Sequence, residues 1–218
     1  MSLSEQRQAI VAAAELLTRA GVMSHTGHVN LSCRLDDERM LLTGVGLVHQ
    51  ITAETLAVVR LDGDVEEGRL EDSSRQIIGM HAAVYRSRAA ATSVVHTHSP
   101  HVTAFALART PLPSRYEALH RRGQTAPVPV VPWAPRGSTE ANDGIAQTLH
   151  DHPHTWAVLL ANHGLLACGS SPQDAARLVV VLEEAAAAEL AAVALGGAKD
   201  LPPAHPTVPP RADPTARG

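Results

Sequence analysis

Val94-Val95-His96-Thr97-His98-Ser99 is the stretch on which the reading of this chain turns. Two β-branched residues lead into histidines at i and i+2. Alternate side chains of a strand share a face, so His96 and His98 are expected to point the same way. They are then close enough to hold one metal ion, and imidazole suits zinc, iron, copper or nickel. Two histidines on a sheet edge with no ligand role are the plain alternative. Ser99-Pro100 reads as the start of a helix, with an N-cap followed by proline at the first helical position.

Upstream, Ile77 to Arg88 reads as a helix and Leu56 to Leu61 as a strand closed by Asp62-Gly63-Asp64. Asn30 to Arg34 and Met40 to Thr43 read as short strands around an Asp36-Asp37 turn, followed by the glycine-rich turn Thr43-Gly44-Val45-Gly46. Residues 4–20 form a helix with Ile10, Ala13, Ala14, Leu17 and Ala20 on one face. Downstream, residues 110–137 are rich in Pro, Gly and Arg and are expected to wander near a site. Ser138 caps a helix to about Leu149. Trp156 to Ala161 and Leu165 to Cys168 are strands joined by the turn Asn162-His163-Gly164. Glycine at 164 permits a sharp backbone and a close approach, and His163 is the natural third histidine. Ser171-Pro172-Gln173-Asp174 opens an Ala-rich helix to about Leu195, with Asp174 placed for a capping box. Residues 1–200 read as one domain, and residues 201–218 as a Pro-rich disordered tail. Mixed helices and strands with several hairpins predict an α/β sandwich whose sheet is mainly antiparallel.

Composition narrows the function classes. The 218 residues are 44% apolar but only 2% aromatic, so the core must be Ala, Val and Leu, and a stacking platform for single-stranded nucleic acid is not expected. A net charge of −4 without a basic cluster argues against duplex DNA as a partner. Glu5, Arg7 and Glu15 interrupt the first helix, which is therefore not a signal peptide. No uncharged apolar run reaches membrane-spanning length, so no membrane partner is expected. Cys33 and Cys168 make neither a disulfide framework nor a zinc pattern, and a reducing cytoplasm is the expected compartment. Thirteen histidines against one phenylalanine favour metal or proton chemistry.

The segments taken together carry a resemblance. They are Gly27 to Arg34, Leu41 to Gly46, His81 to Arg86, Val94 to Pro100, Gly137 to Glu140 and Ala161 to Gly164. In this order they resemble the class II aldolase/adducin family, and within it the small sugar-phosphate aldolases, from about residue 5 to residue 195. The resemblance implies a three-layer α/β/α sandwich with a mainly antiparallel central sheet. It implies that His96, His98 and His163 bind one divalent metal, zinc first, with Fe2+ or Mn2+ as the alternatives. Three protein ligands and an open position are what catalytic zinc requires. The substrate is a small molecule whose carbonyl and hydroxyl oxygens meet the metal, and a protein carboxylate moves the proton. A tyrosine from a neighbouring subunit protonates the leaving aldehyde, and Tyr116 matches it by spacing. The implied assembly is a homotetramer with sites at subunit interfaces.

The chain departs from that pattern at two places. The family's carboxylate precedes the helix histidine matching His81 by four residues, which lands on Ile77; anchoring on Ser73-Ser74 lands on Arg75. Glu71 and Asp72 are the nearby acids, and a shifted loop would be needed to bring one in. In the phosphate pocket Asn30 and Gly46 match, Val45 replaces a hydroxyl residue, and Ser73 and Ser74 are candidates behind an apparent two-residue insertion. Arg75 is a candidate for a bidentate pair with a substrate anion. His25 and His28 are expected beside the glycine loop, His81 under the metal strand, and Glu183 and Glu184 on a solvated helix face.

The leading expectation is a metal-dependent lyase that carries out aldol cleavage or decarboxylation of a small hydroxy or keto, sugar- or oxoacid-like substrate. A non-haem iron oxygenase acting on an aromatic or 2-oxoacid substrate is the second, distinguished by metal content and oxygen uptake. A non-catalytic adducin-like module is the third, favoured by failure to bind any divalent metal.

Overall fold

The computed structural model describes residues 1–202, and the part of the expected tail from residue 203 onward lies outside the described residues. In chain order the elements are α1 (Leu3–Arg19), β1 (Val29–Arg34), β2 (Arg39–Thr43), β3 (Leu56–Arg60), β4 (Val65–Glu67), α2 (Asp72–Arg75) and α3 (Ile78–Ser87). They continue with β5 (Ser93–Thr97), α4 (Pro100–Ala108), α5 (Glu117–Arg121), β6 (Val130–Val131), α6 (Thr139–Asp151), β7 (Ala157–Leu160), β8 (Gly164–Gly169) and α7 (Pro172–Ala192).

The strands form one eight-stranded sheet in the order β4-β3-β2-β1-β5-β8-β7-β6. Every neighbouring pair is antiparallel except β6 and β7. α1 and α4 pack on α7 over one face, and α3 and α6 pack together over the other. The three-layer sandwich with a mainly antiparallel sheet is as expected. β5 lies at its centre between β1 and β8, with Asn30 opposite His96 and His96 opposite Leu166. Directly opposed residues share a face, so Asn30, Ser32 and His96 all look toward α3. β5 thus rests on two buried neighbouring strands and has little freedom to shift register.

Local chemistry explains the helix boundaries. Ser2 and Glu5 form the reciprocal capping box of α1, with Ser2 N donating to Glu5 Oε2 at 2.7 Å and Glu5 N to Ser2 Oγ at 3.3 Å. Ile10, Ala13, Ala14 and Leu17 are buried as the periodicity predicts, whereas Ala20 is exposed at the C-cap. Ser171 caps α7 by accepting from Asp174 N, but the Asp174 carboxylate turns away to Ser170 N and Oγ, each at 2.9 Å. The expected capping box at Asp174 is therefore only half formed. Ser99 makes no side-chain cap either. Glu183, expected on a solvated face, is 6% exposed and does that work from α7. Its carboxylate accepts from the backbone N–H groups of His101 and Val102, each at 2.9 Å.

β4, α2, α5 and β6 carry no sequence signal of their own, being too short or too polar for periodicity to register. The core is aliphatic, and Tyr85 is its largest fully buried side chain. Among the described residues no helix is long and apolar enough to cross a membrane.

Candidate metal centre

β5 delivers His96, the residue just past its end delivers His98, and the turn between β7 and β8 delivers His163. That turn is sharp because Asn162 takes a left-handed backbone with φ 58°, a conformation asparagine tolerates better than most residues. Gly164 serves the second requirement, close approach. A methyl group there would sit 2.6 Å from the Thr97 carbonyl oxygen and 2.8 Å from His98 Cδ2. A side chain at 164 would push the turn, and His163 with it, away from β5.

The three imidazoles converge. Their candidate ligand atoms all lie within 4.8 Å of one another. Ring centroids are 4.9 Å apart for His96 and His98, 4.7 Å for His96 and His163, and 5.0 Å for His98 and His163. His96 Nδ1 lies 2.9 Å from the Leu165 carbonyl oxygen. A carbonyl only accepts, so Nδ1 carries the proton and Nε2 keeps its lone pair for a metal. His96 Nε2 and His98 Nε2 are 3.2 Å apart. Two nitrogens on one tetrahedral zinc, each at 2.0–2.1 Å, are separated by about 3.3 Å. The spacing suits a shared cation.

Electrostatics keeps the donors neutral. Burial holds the His96 imidazole well below its ordinary range, with His163 and His98 adding to the effect. Burial also pushes His98 down to about 4, followed by the influence of His163, His28 and Arg136. His163 is lowered by burial first, then by Arg136 and His28. Neutral imidazole is the metal-binding form.

Two further histidines surround the triad. His28 stacks on His98, with centroids 5.4 Å apart and planes 13° apart. Gly46 makes room for it, since a methyl group there would sit 2.8 Å from His28 Cε1. His81 is fully buried under the sheet, as expected. Its Nδ1 bonds Ser32 Oγ at 2.7 Å, and Ser32 Oγ bonds the Tyr85 hydroxyl at 2.7 Å.

Beside the triad opens a cavity of about 340 Å³. His98, His163, Ile77, Met80, Val131, Trp133, Arg136, Asn142, Leu160 and Asn162 are among the residues that line it, and no aspartate or glutamate does. Ile77, one of the two residues that fall at the family's acid position, is part of this wall and 1% exposed. Arg75, the other, is exposed on α2 and does not line the cavity. Glu71 does not line the cavity but lies beside it, its Oε2 accepting from Gly46 N at 3.3 Å and its charge acting on His28, the ring stacked on His98. Asp72 is exposed in the first turn of α2.

Of the other expected site residues, the structure brings two together. A methyl group on Gly46 would lie 3.6 Å from Ser73 Oγ, so those two are brought together. Asn30 and Ser74 are buried, and neither Asn30 Oδ1 nor Ser74 Oγ has a protein partner among the described residues. Tyr116 is 41% exposed at the N-cap of α5 and does not line this chain's cavity. Arg136 and Trp133 carried no individual signal in the sequence. Only the Pro- and Arg-rich character of residues 110–137 pointed toward them.

Comparison with known proteins identifies the family. Residues 8–190 match the family model described as Class II Aldolase and Adducin N-terminal domain. An L-fuculose phosphate aldolase of Escherichia coli O6:H1 is 32% identical over 180 residues, which is 82% of this chain and 80% of that protein. A 3-oxo-tetronate 4-phosphate decarboxylase of Haemophilus influenzae is 33% identical over 170 residues, 73% of this chain and 75% of that one. A solved L-fuculose 1-phosphate aldolase superposes with a TM-score of 0.80 at 27% identity, covering 93% of this chain and 92% of the other.

Proposed function

The chain belongs to the class II aldolase and adducin family, and on that premise we propose that it is a metal-dependent carbon–carbon lyase that decarboxylates a small 3-oxo acid. Relatives in both reaction classes, an aldolase and a decarboxylase, support the lyase reading. The observation that carries the choice between them is the cavity wall, where Ile77 stands and no carboxylate is found. Aldol cleavage requires a base to take a proton from the substrate. Loss of carbon dioxide does not, because the leaving carboxylate is already ionised and its bond electrons pass toward the oxo oxygen.

His96, His98 and His163 would hold the cation, zinc by its affinity for nitrogen donors, with ferrous iron or manganese as alternatives. When bound, it supplies Lewis-acid stabilisation of negative charge developing on a substrate oxygen. His96 is oriented for this by the Leu165 carbonyl. Ile77, Met80 and Leu160 make an apolar wall that strips water from a carboxylate pressed against it. Tyr116, exposed and outside its own chain's cavity, is assigned to a neighbouring subunit's site as the proton donor to carbon. The assembly is then a homotetramer. Cys33 and Cys168 are buried and form no disulfide, which is consistent with a reducing cytoplasm.

The test incubates zinc-loaded protein with 3-oxoglutarate and, separately, with a ketose 1-phosphate. The expected result is carbon dioxide from the oxo acid. Aldehyde release from the ketose phosphate without any carbon dioxide would return the aldol reading.

A further inference from the structure

Arg136 stands at the mouth of the cavity with donors to spare. It shares the lining with His98 and His163. One contact fixes it, with Nη2 donating to the Ser73 carbonyl oxygen at 3.0 Å. Among the described residues no carboxylate lies within ion-pairing reach of it. An arginine presents five donors in a flat fork, so most of this fork is left to meet something from solution. The rest of the lining is neutral, with Ile77, Met80 and Trp133 making much of the wall.

We propose that Arg136 is the substrate's anion anchor and that the substrate is a short dicarboxylate, a non-phosphorylated 3-oxo diacid. This rests on the lyase reading for the oxo group and for the loss of one carboxylate. The two carboxylates have opposite needs. The leaving one must shed its charge, which an apolar, dry wall favours and a salt bridge would oppose. The retained one needs a lasting partner, and a planar guanidinium matches a planar carboxylate with two parallel hydrogen bonds.

A phosphate is the poorer fit. A tetrahedral dianion needs several donors converging on it, commonly backbone N–H groups. The Gly46 N–H beside Ser73 already donates to the chain's own Glu71 carboxylate.

Glutarate tests the anchor without the chemistry, because it carries both carboxylates and no oxo group. Calorimetric titration of the zinc-loaded protein should show glutarate binding about ten-fold more weakly to Arg136→Gln than to the parent. Zinc stoichiometry and melting temperature should be the same in both proteins. Inorganic phosphate should bind the parent more weakly than glutarate. Equal glutarate affinity in the two proteins overturns the proposal. So does phosphate binding that is tighter than glutarate and is lost in Arg136→Gln. Failure to turn over 3-oxoglutarate while the glutarate difference persists sinks the decarboxylase reading and supports the anchor. Turnover of 3-oxoglutarate with an unchanged KM in Arg136→Gln does the reverse.

Discussion

His81 shows how much a single buried imidazole can decide. Its ring sits wholly inside the protein, bonded to Ser32 Oγ, and burial pushes its proton affinity down to about 3 from an ordinary 6.5. His98 is held near 4 for the same main reason. Between those values and pH 6.5 the unfolded chain binds protons that the folded chain does not. Stability therefore rises with pH across this window, and falls as acid is added until the folded-state values are passed. For the chelated protein we expect the denaturant midpoint to drop steadily from pH 7 to pH 4, and His81→Gln to flatten part of the drop. A midpoint indifferent to pH, or an unaltered slope in the variant, would contradict this assignment. At this scale the sequence was partly legible. His96, His98 and His163 announced themselves because a strand's two-residue repeat and a glycine turn are written in adjacent letters. Arg136 and Glu183 did not, because each acts on residues far away in the chain and no local pattern marks a long-range partner.

The element that needs outside help is α4. It begins two residues after His98, its own Ser99 fails to cap it, and Glu183 of α7 satisfies its first N–H groups instead. Glu183→Ala would leave the buried Val102 N–H unpaired, at a cost of about 1–3 kcal/mol. The expected result is a melting temperature lower by several degrees, together with weaker zinc binding, since His98 leads directly into this helix. An unchanged melting temperature would show that α4 holds its start by other means. The β7–β8 turn makes a matching case. Gly164→Ala forces a methyl group to within 2.6 Å of the Thr97 carbonyl oxygen, so the variant should be destabilised by about 1–3 kcal/mol and bind zinc less well. Full zinc affinity in that variant would mean that the turn can move without taking His163 along. Strands and long helices were readable from their periodicity to within two or three residues, the largest miss being α7, which ends at Ala192 rather than Leu195 because its last turn tightens into a 3-10 helix. Short pieces such as β4, α2 and β6 were not, because pairing with neighbours rather than intrinsic preference creates them.

For the whole molecule, the fold class followed from the mixture of hairpins and amphipathic helices, and the sheet puts β5 where both of its neighbours can hold it. The departures from the family pattern are also written in the sequence, since counting back from His81 lands on Ile77 and anchoring on Ser73-Ser74 lands on Arg75, leaving only Glu71 or Asp72 on a shifted loop. What only the structure could decide was that Ile77 rather than Arg75 lines the cavity, and that Glu71 turns toward Gly46. Exposed Tyr116 bears on assembly. If it serves a neighbour's site, sedimentation of the parent protein should show a tetramer, and Tyr116→Phe should slow turnover while leaving assembly and zinc content intact. A fully active monomer would remove that role.

The central claim, that three imidazoles from two distant segments share one cation, is tested most directly by titrating the chelated protein with zinc. One equivalent per chain should bind, with affinity falling about 100-fold or more in His163→Ala. Zinc bound as tightly by His163→Ala as by the parent, or not bound by the parent at all, would contradict it.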